Sequence, residues 1–208
     1  MKISLVYPKI PENSNKFFNK CYAFEKLDGT NMHWTWDPDI GWLGFGTRRT
    51  HFTLNKDGIA DFIQTHPELA EAPGIFNEVL RDKLTMRLCQ NSSYHLNHII
   101  IFTEFYGPNS FAGNHFEEDV KSNSQKLTII DVSINKVLIP PKQFIDDFNQ
   151  FDIAKLIYSG KYSGQFAEDL KNGKYNVNEG VVVKGIVDGE VFMTKIKTKT
   201  YLKRLRQR

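Results

Sequence analysis

The chain has 208 residues, 40% of them hydrophobic and 13% aromatic, enough for a sizeable core without staples. Cys21 and Cys89 are its only cysteines and form no C-x-x-C pair, so neither a disulfide framework nor a cysteine zinc site is suggested, and a reducing, cytoplasmic setting is expected. The opening "MKISLVYPKI" has too short an apolar run for a signal peptide, and no stretch approaches the roughly 18 apolar residues of a membrane span, so neither export nor a membrane partner is expected. The net charge of +3 is unevenly placed: from Lys195 onward the chain holds seven of the 27 Lys and Arg residues and no acid, leaving 20 basic against 24 acidic residues in the remainder. That asymmetry suggests a polyanion partner, or else a solvated basic end.

In chain order, aromatic and β-branched residues predict strands near 21–27 and 31–36, joined by the turn dipeptide Asp28-Gly29, and a third near 41–48. The spaced glycines Gly44 and Gly46 read as a strand or bend, because no helix start follows them. A weak helix over Asp57 to Thr65 precedes a clearer one from Ile75 to Leu88, where Phe76, Leu80 and Leu84 recur every four residues. Strands near 97–106 and 126–134 follow, then a proline-started helix after Pro140-Pro141. "SGQFAEDLKNG" is a helix with a Ser start and a Gly stop, and strands near 179–187 and 190–197 close the series. Helices and strands do not alternate as βαβ units, which predicts an α+β domain built on antiparallel sheets. No repeat or linker interrupts the chain, so residues 1–208 read as one unit.

Asp188-Gly189 sits between two runs of strand formers and predicts a tight hairpin in which Val187 faces Glu190, Lys184 faces Met193, Val182 faces Lys195 and Gly180 faces Lys197. The period of two then projects Lys184, Lys195 and Lys197 from one face. Clustered ammonium groups repel one another unless an anion sits among them, and the company of Val182, Ile186 and Met193 suggests the floor of a cleft rather than an open sheet face. Glu179 falls on the opposite face, so it joins this group only if the chain bends at Gly180. Lys26, two residues before Asp28-Gly29, taken by itself reads as a solvated strand residue beside a turn. The histidines His33, His51, His95, His98 and His115 match no zinc spacing, and "HLNH" reads as a loop entering a strand.

With "EKLDGTN", "GTRRT", "IFTEFYG", "EGVVVK" and "KIK" in that order, the chain resembles the covalent nucleotidyltransferase superfamily of ATP-dependent RNA ligases, DNA ligases and mRNA capping enzymes. The closest resemblance is to the RNA ligases that seal nicks in duplex RNA, including phage and editing ligases, because Thr30-Asn31 follows the lysine motif where DNA ligases and capping enzymes carry an Arg. The resemblance implies an ATP-grasp-like ligase domain whose antiparallel sheets flank an ATP-binding cleft, with peripheral helices. It makes Lys26 the adenylylated nucleophile, with Asp28, Lys195 and Lys197 as catalytic partners. Glu25, Asn31, Arg49 (or Arg48), Glu104, Glu179 and Lys184 become nucleotide contacts, Glu104 to the ribose and Arg49 to the ribose or the 3′-OH strand. Glu179 and Glu104, or Asp28, would hold Mg2+, with Mn2+ as a substitute.

The chemistry suits those residue types. A lysine attacks the α-phosphate only as the neutral amine, which neighbouring cations favour, and the same cations offset charge developing on the phosphates. The implied substrates are RNA or a nicked duplex with 5′-phosphate and 3′-OH ends, in a bacterial or phage setting. The alternatives are a capping-type guanylyltransferase, a DNA ligase, or a non-catalytic nucleotide- or nucleic-acid-binding module. The family's purine-stacking aromatic is missing from "KLTIIDVSI", leaving Ile129 or Leu127 as an apolar wall. After Lys197 only 11 residues remain, so no OB or C-terminal domain is expected and a partner chain becomes a way to supply one. The tail "TKTYLKRLRQR" is expected to lie along a polynucleotide backbone, anchored by Tyr201, Leu202 and Leu205.

Overall fold

A computed structural model describes residues 5–12, 18–108 and 124–207; His115 and Arg208, both within segments named above, lie outside them. The chain divides into two compact units, one of Pro8–Asp28 with Ile139–Arg208, the other of Lys2–Tyr7 with Gly29–Leu138. Two antiparallel sheets and their helices make the α+β architecture that the strand pattern predicts. No helix among the described residues is long and apolar enough to cross a membrane.

The first unit is built on a four-stranded sheet in the order β10-β9-β1-β8, from β1 (Cys21–Lys26), β8 (Leu156–Gly160), β9 (Gly180–Val187) and β10 (Glu190–Lys197). Asp188 and Gly189 both have positive φ, +52° and +78°, as a two-residue hairpin turn requires. All four predicted cross-strand pairs of β9 and β10 form. One face of the sheet is apolar: Cys21, Ala23, Val181, Val183 and Ile196 pack with Phe18 and with Phe166 and Leu170 of α6 (Gly164–Lys171). Ser163 starts that helix by accepting the Phe166 N–H at 3.1 Å. On the other face Phe24 meets Phe144 of the proline-started α5 (Pro141–Phe148) edge-on, with ring centroids 5.8 Å apart. The edge strand β8 is not among the predicted strands, because its exposed and half-buried residues show no clean alternation.

The second unit carries a six-stranded sheet ordered β4-β3-β2-β5-β6-β7. Its strands are β2 (Thr30–Asp37), β3 (Gly41–Thr47), β4 (His51–Thr53), β5 (Ile99–Tyr106), β6 (Lys126–Ile134) and β7 (Val137–Leu138). Helices α1 (Lys56–Thr65), α2 (Ala72–Ile75), α3 (Arg81–Gln90) and α4 (Ser92–His95) also belong to it. Trp34 on β2 stacks on Phe76 with centroids 3.9 Å apart and planes 2° from parallel, and Phe45 packs edge-on against Phe62 of α1.

The helix predicted over Ile75–Leu88 is not one regular α-helix: Phe76–Leu80 forms a π-helical turn between α2 and α3. The sequence period explains it. Phe76, Leu80, Leu84 and Leu88 are all buried at intervals of four, which would drift off one face of a 3.6-residue helix, and one wider turn restores the phase.

Candidate active site

In the first unit, register alone collects the lysines. Lys26 and Lys197 flank Gly180 in one cross-strand row, Phe24 and Lys195 flank Val182 in the next, and Tyr22 and Met193 flank Lys184 in the third. Gly180 is the key position. Its φ is +150°, and a Cβ there would lie 2.0 Å from the Ile196 carbonyl oxygen, so only glycine fits. The bend carries Glu179 across to the lysine face, the condition on which it could join that group. The carboxylate is 2% exposed and bridges two cations, with Oε2 2.7 Å from Lys26 Nζ and Oε1 3.1 Å from Lys197 Nζ. A buried carboxylate is tolerable because both of its oxygens meet ammonium groups.

The anions that sit among these lysines are the protein's own carboxylates. Lys195 pairs with Glu12 at 3.2 Å, where Pro11 and Glu12 run along β10 and the Lys195 N–H donates to the Pro11 carbonyl. Lys184 is 2% exposed, with Nζ 4.8 Å from the Phe24 ring centroid and 5.3 Å from that of Phe144. Beyond β10, α7 (Lys199–Arg206) starts on a Thr198 cap, and its Tyr201 hydroxyl donates to Asp28 Oδ2 at 2.9 Å. Burial, reinforced by the charges of Glu179 and Asp28, pushes the Tyr201 hydroxyl well above its ordinary pKa, so it remains a donor.

In the second unit, Asn31 on β2 and Glu104 on β5 are direct cross-strand partners, and Asn31 Nδ2 donates to the Thr103 carbonyl at 3.3 Å. Their face continues through His33, Phe102 and Asp131, again by register. Tyr7 donates to Asp131 Oδ2 at 2.7 Å; burial first, then the charges of Asp131 and Glu104, raise its pKa. Arg48 and Arg49 are exposed in the β3–β4 turn, where Thr47 and Thr50 join hydroxyls at 2.9 Å. Gly46 stands between His33 and His51 in the ladder, and the two imidazoles meet Nε2 to Nδ1 at 2.9 Å. Burial and the neighbouring His51 hold the His33 pKa down at about 4.

Neither family models nor curated protein sequences match this chain. Solved structures do. A Naegleria gruberi RNA ligase mutant with ATP and Mn superposes with a TM-score of 0.62 at 18% identity, over 99% of this chain and 60% of that one. An archaeal ATP-dependent RNA ligase gives a TM-score of 0.62 at 16% identity, over 96% and 50%. The Naegleria gruberi RNA ligase with PPi gives 0.58 at 16% identity, over 91% and 52%. The fold is that of the ATP-dependent RNA ligases. The chain spans between 50% and 60% of the length of these RNA ligases.

Within this RNA ligase fold the first unit brings together Lys26, Glu179 and Lys197, with Asp28 tied to Tyr201 and with Lys184 and Lys195 on the same sheet face. It does not bring Glu25 there: strand alternation puts Glu25 on the opposite face, in register with Val181, and its N–H donates to the Lys155 carbonyl. Asn31, Arg49 and Glu104 belong to the second unit. The expected apolar wall needs correction. Leu127 and Ile129 pair with Phe105 and Thr103 and are buried on the face away from Glu104. The register then steps from Thr103–Ile129 to Phe102–Asp131, which makes Ile130 the extra residue of a β-bulge and leaves it half-buried. Tyr7, Asp131 and the polar role of Tyr201 are not visible in the sequence pattern. Only Tyr201 carries a signal, as one of three apolar residues expected to anchor the tail, and the structure buries it while leaving Leu202 and Leu205 36% and 37% exposed.

Proposed function

We propose that the chain is an ATP-dependent RNA ligase adenylyltransferase that works through a lysyl-AMP intermediate on Lys26. The observation that carries this reading is the convergence of Lys26, Glu179 and Lys197 around Gly180, in a fold shared with RNA ligases. In the proposed first step Lys26 Nζ attacks the α-phosphorus of ATP, a P–N bond forms, and the bond to pyrophosphate breaks. The attacking amine must first lose a proton, and Glu179 Oε2 is the nearest carboxylate oxygen, at 2.7 Å. Lys197 and Lys195 exchange their carboxylate partners for phosphate oxygens and offset the charge that builds on them. AMP then passes to the 5′-phosphate of an RNA end or nick, and a 3′-OH displaces it to form the phosphodiester. Glu104 and Asn31 serve the nucleotide, and Arg49 the ribose or the 3′-OH strand.

Among the described residues no group of three or more His, Cys, Asp or Glu side chains is placed to hold a metal ion. Glu179, once its lysine partners turn to phosphate, or Glu104 would supply one carboxylate to Mg2+ or Mn2+, which is commonly held by one or two carboxylates with substrate phosphates and water. Such an ion supplies Lewis-acid neutralisation of phosphate charge.

The test is intact-protein mass spectrometry after incubation with ATP and Mg2+. One AMP adduct is expected, stable to denaturation and lost in Lys26→Ala. An adduct on another residue, or none at any pH, overturns the reading. End-joining across nicked RNA, nicked DNA and hybrid duplexes then identifies the polynucleotide.

A further inference from the structure

Helix α7 is held to the lysine site through two adjacent devices. Thr198 donates its hydroxyl to the Asn178 carbonyl at 2.9 Å and its N–H to the Glu179 carbonyl at 2.9 Å. The same hydroxyl accepts the Tyr201 N–H at 3.1 Å and so caps the helix. From the first turn of that helix Tyr201 reaches the other half of the site. Its hydroxyl donates to Asp28 Oδ2 at 2.9 Å, and Lys197 Nζ lies 5.0 Å from its ring centroid.

Of the three residues expected to anchor the tail, the helix buries Tyr201 and leaves Leu202 and Leu205 exposed, so the docking point is a phenol and not an aliphatic side chain. A buried phenol needs a hydrogen-bond partner, and here the partner is the carboxylate two residues beyond Lys26. A hydrogen bond to an ionised carboxylate is strong and directional. It fixes Asp28 from a helix that is remote in sequence, while the ring gives the Lys197 ammonium a face to rest on.

We propose that Tyr201 is a positioning residue of the Lys26 site, fixing the Asp28 carboxylate through its hydroxyl and supporting the Lys197 side chain with its ring. The proposal rests on reading that site as an adenylyltransferase. The β10–α7 junction thereby sets the geometry of two charged groups tied to the nucleophile, Lys197 through the shared Glu179 and Asp28 through the chain. Without the hydroxyl, Asp28 has other rotamers open to it, and Lys26 spends less time aligned with the α-phosphate. The cost falls on the chemical step rather than on ATP binding.

The experiment is single-turnover self-adenylylation against ATP concentration for the full chain as wild type, Tyr201→Phe, Asp28→Asn and the double variant, with a melting temperature for each. Tyr201→Phe should slow the maximal rate roughly ten- to a hundredfold, the range for removal of a hydrogen bond to a charged group, with the half-saturating ATP concentration changed less than about twofold. In the Asp28→Asn background the same change should add little, because the two residues act as one unit. Tyr201→Leu, which also removes the ring beside Lys197, should raise the half-saturating ATP concentration as well. A wild-type rate in Tyr201→Phe overturns the proposal, and so do multiplicative losses in the double variant or a rate loss that only tracks the melting temperature. Absence of an adduct in the wild type overturns the adenylyltransferase reading and this proposal with it; a wild-type adduct with an unaffected Tyr201→Phe overturns this proposal alone.

Discussion

Both units pack an apolar sheet face against helices and tie a phenol to a carboxylate, Tyr201 to Asp28 in the first and Tyr7 to Asp131 in the second, but they satisfy the polar groups around that bond differently. The first unit uses full charges: Glu179 between Lys26 and Lys197, and Glu12 on Lys195. The second joins two imidazoles, His33 and His51, and leaves Arg48 and Arg49 exposed in a turn. Ion pairs of this kind can be exchanged for phosphate contacts, whereas an imidazole pair with one ring buried mainly fixes shape. Charge changes should therefore break the first unit's chemistry, and proton uptake should break the second unit's stability.

The largest effect should come from Gly180→Ala. The residue has φ +150°, and a Cβ there would press on the Ile196 carbonyl oxygen, so the bend that delivers Glu179 to both lysines cannot form unchanged. A loss of about 3 kcal/mol or more in urea unfolding is expected, together with disappearance of the AMP adduct. Glu179→Gln sharpens the comparison by keeping the shape and removing the charge. Lys26 and Lys197 are 23% and 19% exposed at the side chain, so solvent screens part of the penalty and roughly 1–2 kcal/mol of stability should be lost. Wild-type stability in Gly180→Ala would show that the bend is not what gathers these groups.

Acid should act on the second unit. His33 has its folded pKa lowered to about 4 from an ordinary 6.5, so the unfolded chain takes up a proton first as pH falls. The stability that depends on neutral His33 is complete above about pH 6.5 and is lost progressively down to about pH 4, a span worth about 3 kcal/mol. Thermal unfolding across that range should show the decline, and His33→Gln, which does not titrate, should flatten it. A slope that His33→Gln leaves unchanged would assign the acid sensitivity to other groups.

Much of the lysine face is legible in the sequence because Asp188-Gly189 allows one hairpin register, and that register by itself places Lys184, Lys195 and Lys197 together. The bend at Gly180 is legible only as a condition, since glycine permits positive φ without requiring it. Contacts between distant segments are not legible. Periodicity along one strand carries no information about Phe144 reaching Lys184 from α5, or about Tyr201 reaching Asp28 across most of the chain. The bulge at Ile130 has no Gly or Pro to announce it, so nothing in "KLTIIDVSI" shows that Leu127 and Ile129 turn away from Glu104. The π turn at Phe76–Leu80 does leave a trace, in the spacing of four, but that spacing also passes for an ordinary amphipathic helix.

The smallest expected effect separates the Lys26 site from the outer face of α7. Lys203 and Arg206 are exposed, and Lys199 is tied to Glu168 and Asn172 of the α6 region at 2.9 and 2.8 Å. We propose that the cations on this face bind the phosphate backbone of the polynucleotide and take no part in self-adenylylation. Each phosphate that a cation neutralises adds about 0.9 to the log–log salt dependence of duplex binding, so replacing Lys203 and Arg206 together with Gln should flatten the salt response by up to about two such steps. The AMP adduct should form at close to the wild-type rate, because Tyr201 and Thr198, which hold the helix to the site, are untouched. Binding measured by fluorescence anisotropy across a salt series decides the matter. An unchanged slope means that these residues are a solvated basic surface, and a parallel loss of adduct formation means that they act through the fold of α7 rather than on the polynucleotide.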